Sequence, residues 1–258
     1  MEASLGLIFL VLIATMLAVK SSFLSWSGAA MAFLVGLCTA LGFGIKGLLL
    51  MGAFFLSSSL FSKYKKINKV EFQHIHEKGS TRDWAQVLAN GGLAALAGIC
   101  SILSSDSIYL MAFGIALASS NSDTWASELG SLSKKQPISV RGFKVVASGT
   151  SGAISFVGTM AGFLGALFIA VLSLLLFETN TKMFFFIVGF GFIGMLIDTL
   201  LGAFLQAEYR CARCGCRTEK LLHCHQETTL SKGKAWMNND VVNLLSGLLA
   251  VLLGTALY

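Results

Sequence analysis

The segment with the clearest potential for chemistry covers residues 121–130, directly after the apolar run 109–118. It places two carboxylates, Asp123 and Glu128, where a lipid-embedded helix is expected to meet water. Ionisable groups at membrane depth are costly, and they are therefore candidates for function. Carboxylates beside hydroxyl and amide oxygens form the hard ligand set that Mg²⁺ carrying a nucleotide prefers. The alternative interpretation is a polar helix cap in a turn.

The composition is that of an integral membrane protein. Of the 258 residues, 55% are hydrophobic and 12% are charged, which is about half the charged fraction of a typical soluble chain. The mean hydropathy is +0.76. The first apolar segment follows Glu2 rather than a basic stretch, and no small-x-small cleavage site precedes Lys20. We therefore interpret it as a retained span and not a signal peptide, within one membrane domain over residues 1–258.

Eight apolar segments predict an all-α polytopic protein of about eight transmembrane helices joined by short cytosolic loops. Several segments are shorter than the ~20 residues that cross a bilayer squarely. The third and fifth could each be a broken or half-spanning helix, and the sixth is long enough to begin in the cytosol or to run tilted. The segments cover residues 5–19, 26–43, 47–61, 84–103, 107–119, 149–177, 183–201 and 241–257.

The distribution of basic residues predicts the topology. With eight spans and both termini outside, every lysine and arginine except Lys46 and Lys182 falls in a cytosolic segment, as the positive-inside rule requires. If the fifth segment did not span, this bias would vanish. The net charge of +6 then belongs to the cytosolic face, where lipid headgroups and nucleotide phosphates are the expected partners rather than nucleic acid.

Polar and ionisable side chains collect at the cytosolic ends of six of these segments, whereas the opposite side has little beyond Asp106 and Glu178. This asymmetry predicts an active site that faces the cytosol at the lipid boundary. It argues against a transporter, whose site lies near the midplane with access from both sides. Interhelical hydrogen bonding is the alternative role for the asparagines. The candidates are Ser58, Ser59, Lys63, Arg82, Asp83, Asn90, Asn121, Asp123, Thr124, Glu128, Thr150, Ser151, Asp198, Asn239, Asp240 and Asn243.

A glycine-rich segment follows two cations in the loop before the sixth segment. Arg141 and Lys144 precede Gly149-Thr-Ser-Gly152, which we expect to begin a helix. Backbone N–H groups at a helix start, unhindered by side chains, suit an anionic phosphate. The segment is not a Walker A sequence, which would need Gly-Lys-Ser/Thr after the second glycine.

Cysteine and histidine concentrate in the last cytosolic loop, residues 206–238. The reducing cytosol disfavours disulfides there, so a small zinc-binding insert and unliganded thiols are the two interpretations. Cys216 and His225 could replace one member of either ligand pair. The four residues with the spacing of a compact tetrahedral Zn²⁺ site are Cys211, Cys214, His223 and Cys224.

Seven strings, spread over nearly the whole chain, together resemble one family. The longest are Arg-Asp-Trp-Ala-Gln-Val-Leu-Ala-Asn-Gly-Gly at 82–92 and Asn-Ser-Asp-Thr-Trp-Ala-Ser-Glu-Leu-Gly at 121–130. The sequence is similar to the transmembrane-protein-19-like integral membrane family, long labelled a domain of unknown function, whose members include phytyl-phosphate kinases. The other strings lie at residues 57–63, 149–152, 198–203, 209–214 and 238–243.

The resemblance implies a membrane lipid kinase. Such an enzyme would transfer a phosphoryl group from a nucleoside triphosphate, with CTP a candidate, to an isoprenoid monophosphate such as a phytyl or polyprenyl phosphate, giving the diphosphate. A CTP-dependent lipid cytidylyltransferase and an isoprenoid-alcohol kinase are the nearer alternatives. A small-solute or lipid transporter is the alternative of another class. The resemblance does not specify the lipid of this member, and the oligomeric state stays open.

Site roles follow from the chemistry of these residues taken together with the resemblance. Asp123, Glu128 and Asp240 would hold Mg²⁺ against the nucleotide phosphates, and Asp198 would be a further catalytic carboxylate. Because the acceptor is already an anion, a strong general base is dispensable. A closed four-ligand zinc site would be structural and would not enter the chemistry. The cations that would neutralise the phosphates are Lys63, Arg82, Arg141 and Lys144.

Overall fold

The protein is mostly helical. Its computed structural model describes residues 2–64, 79–104 and 106–258. Lys65, Lys66, Lys69 and Lys78, which enter the charge argument for topology, lie outside the described residues. The helices are α1 (Glu2–Lys20), α2 (Trp26–Lys63), α3 (Trp84–Leu103), α4 (Ser107–Gly130), α5 (Phe156–Phe177), α6 (Thr181–Phe204) and α7 (Asn239–Leu257).

Helix α2 is a hairpin of two helical halves rather than one straight rod. It reverses at Gly44, whose φ of 60° and ψ of −151° suit only glycine. Across the bend the Thr39 hydroxyl contacts the Met51 sulfur at 3.6 Å. The two halves correspond to the second and third apolar segments of the sequence, and Lys63 at the far end returns to the backbone carbonyl of Ser21.

Helix α4 is the centre of the bundle. Every residue from 111 to 122 is buried, and α4 packs against α2, α3, α5, α6 and α7. Its buried side chains include Met111, Phe113 and Leu117, each fully enclosed. Because α4 contacts protein rather than lipid along most of its length, it tolerates the hydroxyl and amide groups that interrupt its apolar run. The helix also extends to Gly130, eleven residues past the predicted apolar segment, so residues 121–130 are helical and do not form a turn.

Five helices in the described parts of the chain are long and apolar enough to cross a membrane, namely α2, α3, α5, α6 and α7. The apolar helical stretch of α1, Leu5–Lys20, is shorter than that requirement, and α4 lacks the hydropathy. The eight-span arrangement with outward termini therefore stays a prediction. At one end of the bundle the bend of α2, the end of α5, the start of α6 and the end of α7 lie close together. Phe43 lies 6.2 Å from Phe177, and the Lys182 amine donates to the Tyr258 carbonyl at 2.5 Å.

The expectation of an all-α chain is incomplete, because two small antiparallel sheets occupy the loops. β1 (Ile138–Ser139) pairs with β2 (Ala153–Ile154). A second sheet contains β3 (Glu208–Cys211), β4 (Arg217–Thr218), β5 (Leu222–His223) and β6 (Gln226–Lys232), in the order β4-β3-β6-β5. Outside the lipid, strand pairing is another way for backbone groups to find partners.

The glycine-rich segment is a loop and does not begin a helix, contrary to the sequence-based expectation. Helix α5 begins at Phe156, and the hydroxyl of its N-cap residue Ser155 accepts from the Gly158 N–H at 3.0 Å. Gly149 and Gly152 have φ values of 88° and 75°, which a helix start would not show. The sixth apolar segment therefore starts seven residues later than predicted.

The predicted topology can be checked on the unmodified protein. A membrane-impermeant amine reagent should modify Lys46 and Lys182 in sealed right-side-out vesicles, because both are exposed and lie in predicted outside segments. Lys134 and Lys135, also exposed, should react only after the vesicles are opened. Peptide mass spectrometry gives the modified sites. Modification of Lys134 or Lys135 in sealed vesicles would invert or discard the eight-span arrangement.

Candidate active site at the polar helix ends

A cavity of about 280 Å³ lies at the end of the bundle where α4 and α6 finish and where α3, α5 and α7 begin. Its walls are strongly acidic. Among the described residues that line it, Arg82 is the one lysine or arginine. The carboxylates in the walls are Asp123, Glu128, Asp198, Glu219 and Asp240.

Helix α4 contributes two of these carboxylates because it stays helical through its polar last turns. The hydroxyls there bond back to the helix itself: Thr124 donates to the Ser120 carbonyl at 2.8 Å, and Ser127 donates to the Thr124 carbonyl at 3.1 Å. This satisfies the hydroxyl groups without drawing on the carboxylates. Asp123 and Glu128 both reach the cavity wall as a result.

Asp198 of α6 is held by α7. Its Oδ2 accepts from the Ser246 hydroxyl at 3.0 Å. The Asn243 amide, oriented with its nitrogen toward Asp198, donates to the same oxygen at 3.0 Å and to the Asn239 carbonyl at 3.2 Å. One wall of the cavity therefore contains Asn239, Asp240 and Asn243. The hydrogen bonds to Asp198 hold this part of α7 against α6.

Arg82 lies just before α3, lines the cavity and contacts the second half of α2 and the residue before that helix. Its backbone carbonyl accepts from the Ser25 N–H at 3.0 Å, and its guanidinium lies 5.8 Å from the Phe54 ring and 5.7 Å from the Phe55 ring. Burial lowers the pKa of Arg82 to about 10, and the charge of Glu128 opposes that shift. Arg82 therefore remains a cation at neutral pH.

The loop of residues 149–152 closes the cavity against α6. Gly152 lies so close to α6 that an added Cβ would be 2.3 Å from the Ala203 Cα. Beside it, the Ser151 hydroxyl donates to Glu219 Oε1 at 2.6 Å. The Gln206 amide donates to the same oxygen at 2.7 Å. Glu219 therefore joins the glycine-rich loop to the end of α6.

Three helices begin at the cavity. The N-caps are Asp83 for α3, Ser155 for α5 and Asn238 for α7. The N-terminal end of a helix carries a partial positive charge that favours anions. The cavity thus combines carboxylates, a cation and positive helix ends, which is a suitable environment for phosphate groups accompanied by a divalent cation.

The structure brings most of the predicted site residues to this cavity. The predicted residues in its walls are Arg82, Asn90, Asp123, Thr124, Glu128, Gly149, Thr150, Ser151, Gly152, Asp198, Asn239, Asp240 and Asn243.

Asn121 and the α2 serines Ser57, Ser58 and Ser59 pack between helices and do not line the cavity. The Asn121 Oδ1 accepts from Ser57 at 3.2 Å and from Ser58 at 3.1 Å, and its amide donates to the Gly165 carbonyl at 2.8 Å. Ser59 is buried as well. This arrangement joins α2, α4 and α5, which is the interhelical hydrogen bonding that the sequence left as the alternative for the asparagines.

Four predicted binding residues are placed elsewhere. Lys63 donates to the Ser21 carbonyl and lies 4.0 Å above the Phe23 ring. Asp83 forms a capping box with Gln86 at the start of α3, so its carboxylate serves the helix end. Arg141 and Lys144 are exposed on the loop between β1 and β2 and do not line the cavity.

Glu219 and Gln86 line the cavity but were not predicted from the sequence. Glu219 stands in a loop that also contains Arg217, Lys220 and Glu227, and nothing in its spacing separates it from solvated surface charge. Gln86 sits three residues after the N-cap of α3, where a capping role accounts for it. Only the folded arrangement brings these two residues to the wall.

The Cys and His residues of the last loop form a compact cluster. The ligand atoms of Cys211, Cys214, His223 and Cys224 all lie within 4.8 Å of one another. His223 Nδ1 is 3.4 Å from the Cys214 sulfur and 3.3 Å from the Cys224 sulfur. A backbone hydrogen bond from Cys216 is the main cause that lowers the pKa of Cys214 to about 7.

Comparison with known proteins identifies the family. The family described as integral membrane protein DUF92 matches residues 9–251. An uncharacterized membrane protein of Methanocaldococcus jannaschii is 30% identical over all of this chain and 97% of its own length. Two Arabidopsis thaliana proteins are also similar: the chloroplastic protein VTE6 is 29% identical over 86% of this chain and 62% of its own length, and protein PGR is 31% identical over 80% and 81%. No solved structure matches. The chain belongs to the DUF92 family of integral membrane proteins.

Proposed function

We propose that this protein is a membrane lipid kinase. It would transfer a phosphoryl group from a nucleoside triphosphate to an isoprenoid monophosphate and release the isoprenoid diphosphate and the nucleoside diphosphate. The observation that carries the proposal is the acidic cavity at the polar helix ends, with Arg82 and three helix N-termini around it. The resemblance of its motifs to a family that includes phytyl-phosphate kinases indicates the substrate class.

The lining residues fit a divalent cation. Five carboxylates face one cavity, and Arg82 is the one lysine or arginine among its described lining residues; a bound divalent cation would offset repulsion between the carboxylates. Oxygen ligands of this kind suit Mg²⁺. Asp123, Glu128 and Asp240 would hold the ion, and it would offset the charge on the phosphate groups during transfer.

Phosphoryl transfer needs positioning and charge stabilisation more than covalent help from the protein. Arg82 and the starts of α3, α5 and α7 would bind and orient the phosphates. An oxygen of the acceptor phosphate attacks the terminal phosphorus of the nucleotide, and the bond from that phosphorus to the bridging oxygen breaks as the nucleoside diphosphate leaves. The acceptor oxygen is already anionic, so the chain has no proton to remove.

The position of the cavity suits a lipid acceptor. Exposed aromatic side chains mark the same level of the bundle: Trp26, Trp84 and Phe156 stand at the starts of α2, α3 and α5, and Trp236 stands just before α7. Tryptophan and tyrosine gather at the membrane–water interface because their rings are amphipathic. A lipid phosphate lies at that depth, so its headgroup could enter the cavity while its isoprenoid tail stays among the helices.

Product identification tests the proposal. Purified protein in lipid nanodiscs would be incubated with Mg²⁺, each common nucleoside triphosphate, and either phytyl monophosphate, geranylgeranyl monophosphate or the matching alcohols. We expect isoprenoid diphosphate from a monophosphate, identified by mass spectrometry, with one nucleoside diphosphate per lipid product. A cytidylyl lipid with pyrophosphate would mean a cytidylyltransferase, and monophosphate from an alcohol would mean an alcohol kinase. Lipid unchanged under every condition would reject all three enzymes.

A further inference from the structure

We propose that the loop between α6 and α7 binds one structural Zn²⁺, and that this ion holds Glu219 in place as a positioning residue for the glycine-rich loop of the cavity. The site and its metal do not depend on the reaction. Only the consequence for catalysis rests on the proposed function.

The ligand set comes from two turns that face each other. Cys211 ends β3 and Cys214 lies in the following turn, while His223 ends β5 and Cys224 lies in the next turn. Three sulfurs and one imidazole nitrogen, all within 4.8 Å of one another, match the composition of a closed tetrahedral zinc site. Cys216 and His225 lie outside this group of mutually close ligand atoms, so they are not the preferred ligands.

The four-stranded sheet around these ligands, residues 208–232, has little else to stabilise it. Of its four strands, β4 and β5 contain only two residues each. The buried side chains are few, chiefly Tyr209, Cys211 and Thr218. A unit of this size cannot build a sufficient core, and small units of this kind usually depend on a metal or a disulfide. Because the ligand pairs flank residues 215–222, a bound metal would close that stretch into a fixed loop.

Glu219 lies within that closed stretch. The segment is anchored on the sheet side as well, since the Thr228 hydroxyl donates to the Lys220 carbonyl at 2.7 Å and the Thr228 N–H donates to the Leu221 carbonyl at 2.9 Å. At its other face Glu219 Oε1 accepts from Ser151 and Gln206. A metal bound by the four ligands would therefore hold the Glu219 carboxylate against Ser151 and keep the glycine-rich loop on α6.

Metal analysis tests the zinc site. Protein purified without chelator should contain about one zinc per chain, as expected for a closed site. Cys214→Ser should lose zinc, whereas Cys216→Ser, two residues away and outside the four-ligand group, should keep it. Zinc below about a tenth of an equivalent in the unaltered protein overturns the proposal, and so does equal loss of zinc from both variants.

Hydrogen exchange tests the link to the cavity and does not require any turnover. Backbone amides of residues 147–155 should exchange at least about tenfold faster in Cys214→Ser than in Cys216→Ser. Glu219→Ala should show the same faster exchange with zinc retained, and Glu219→Gln should restore protection because its amide oxygen still accepts from Ser151 and Gln206. Unchanged protection in Cys214→Ser or in Glu219→Ala would disprove the positioning role, whatever reaction the protein catalyses.

Discussion

Asp123→Asn is expected to lower turnover by about 10³-fold, equivalent to about 4 kcal/mol of transition-state stabilisation, while the protein still folds. The change removes one carboxylate charge from the acidic cavity wall and leaves a side chain of nearly the same shape. Because asparagine is nearly the same size as aspartate at this half-buried position, the melting temperature should stay nearly the same. Turnover is measured with the isoprenoid monophosphate assay, and stability by thermal unfolding in detergent.

Asp106→Asn provides a matched control for this prediction. Asp106 is the N-cap at the opposite end of the same helix α4, where it is exposed and its carboxylate accepts from the Ile108 N–H at 2.9 Å. Asparagine caps helices about as well as aspartate, so this variant should keep both activity and stability. Equal activity of Asp123→Asn and Asp106→Asn across a range of Mg²⁺ concentrations would exclude Asp123 from the reaction.

Most of the helical framework could be predicted from hydropathy. The bounds of α3 agree with the predicted segment, and the two halves of α2 correspond to separate apolar segments joined at Gly44. The errors occur where hydropathy has no information. Helix α4 continues past its apolar run because its neighbours bury the polar residues 119–122, and residues 149–152 form a loop in which Gly152 lies against the backbone of α6. Both are consequences of tertiary contacts.

The site could be predicted where the membrane makes a polar residue conspicuous. Asp123, Asp198 and Asp240 interrupt or flank apolar segments, and all three line the cavity. The same reasoning could not separate a ligand from a structural polar group: Asn121 interrupts an apolar helix just as Asp123 does, yet its amide joins three helices. Charged residues are common in water-exposed loops, so the sequence could not mark Glu219 as a site residue.

Gly152→Ala is expected to lower turnover by about 10²-fold through displacement of the loop that closes the cavity. The φ of Gly152 is 75°, a region that costs an L-residue roughly 1–2 kcal/mol, and the new Cβ would lie 2.3 Å from the Ala203 Cα, a backbone atom that cannot rotate away. The loop must therefore move off α6, and shifts of about 1 Å near a reacting group can cost about 10²-fold in rate.

A second substitution at the same position can separate the effect of backbone strain from the effect of the close contact with Ala203. Asparagine tolerates the left-handed conformation better than alanine but adds the same Cβ, so Gly152→Asn should be as inactive as Gly152→Ala if the contact with Ala203 dominates. Gly142→Ala is the control, because Gly142 lies in the same connection with nothing within 4 Å of its Cβ position. Hydrogen exchange of residues 147–155 shows whether the loop has moved. Full activity in Gly152→Ala, with unchanged exchange, would mean that the loop accommodates the methyl group and that its close packing on α6 does not shape the cavity.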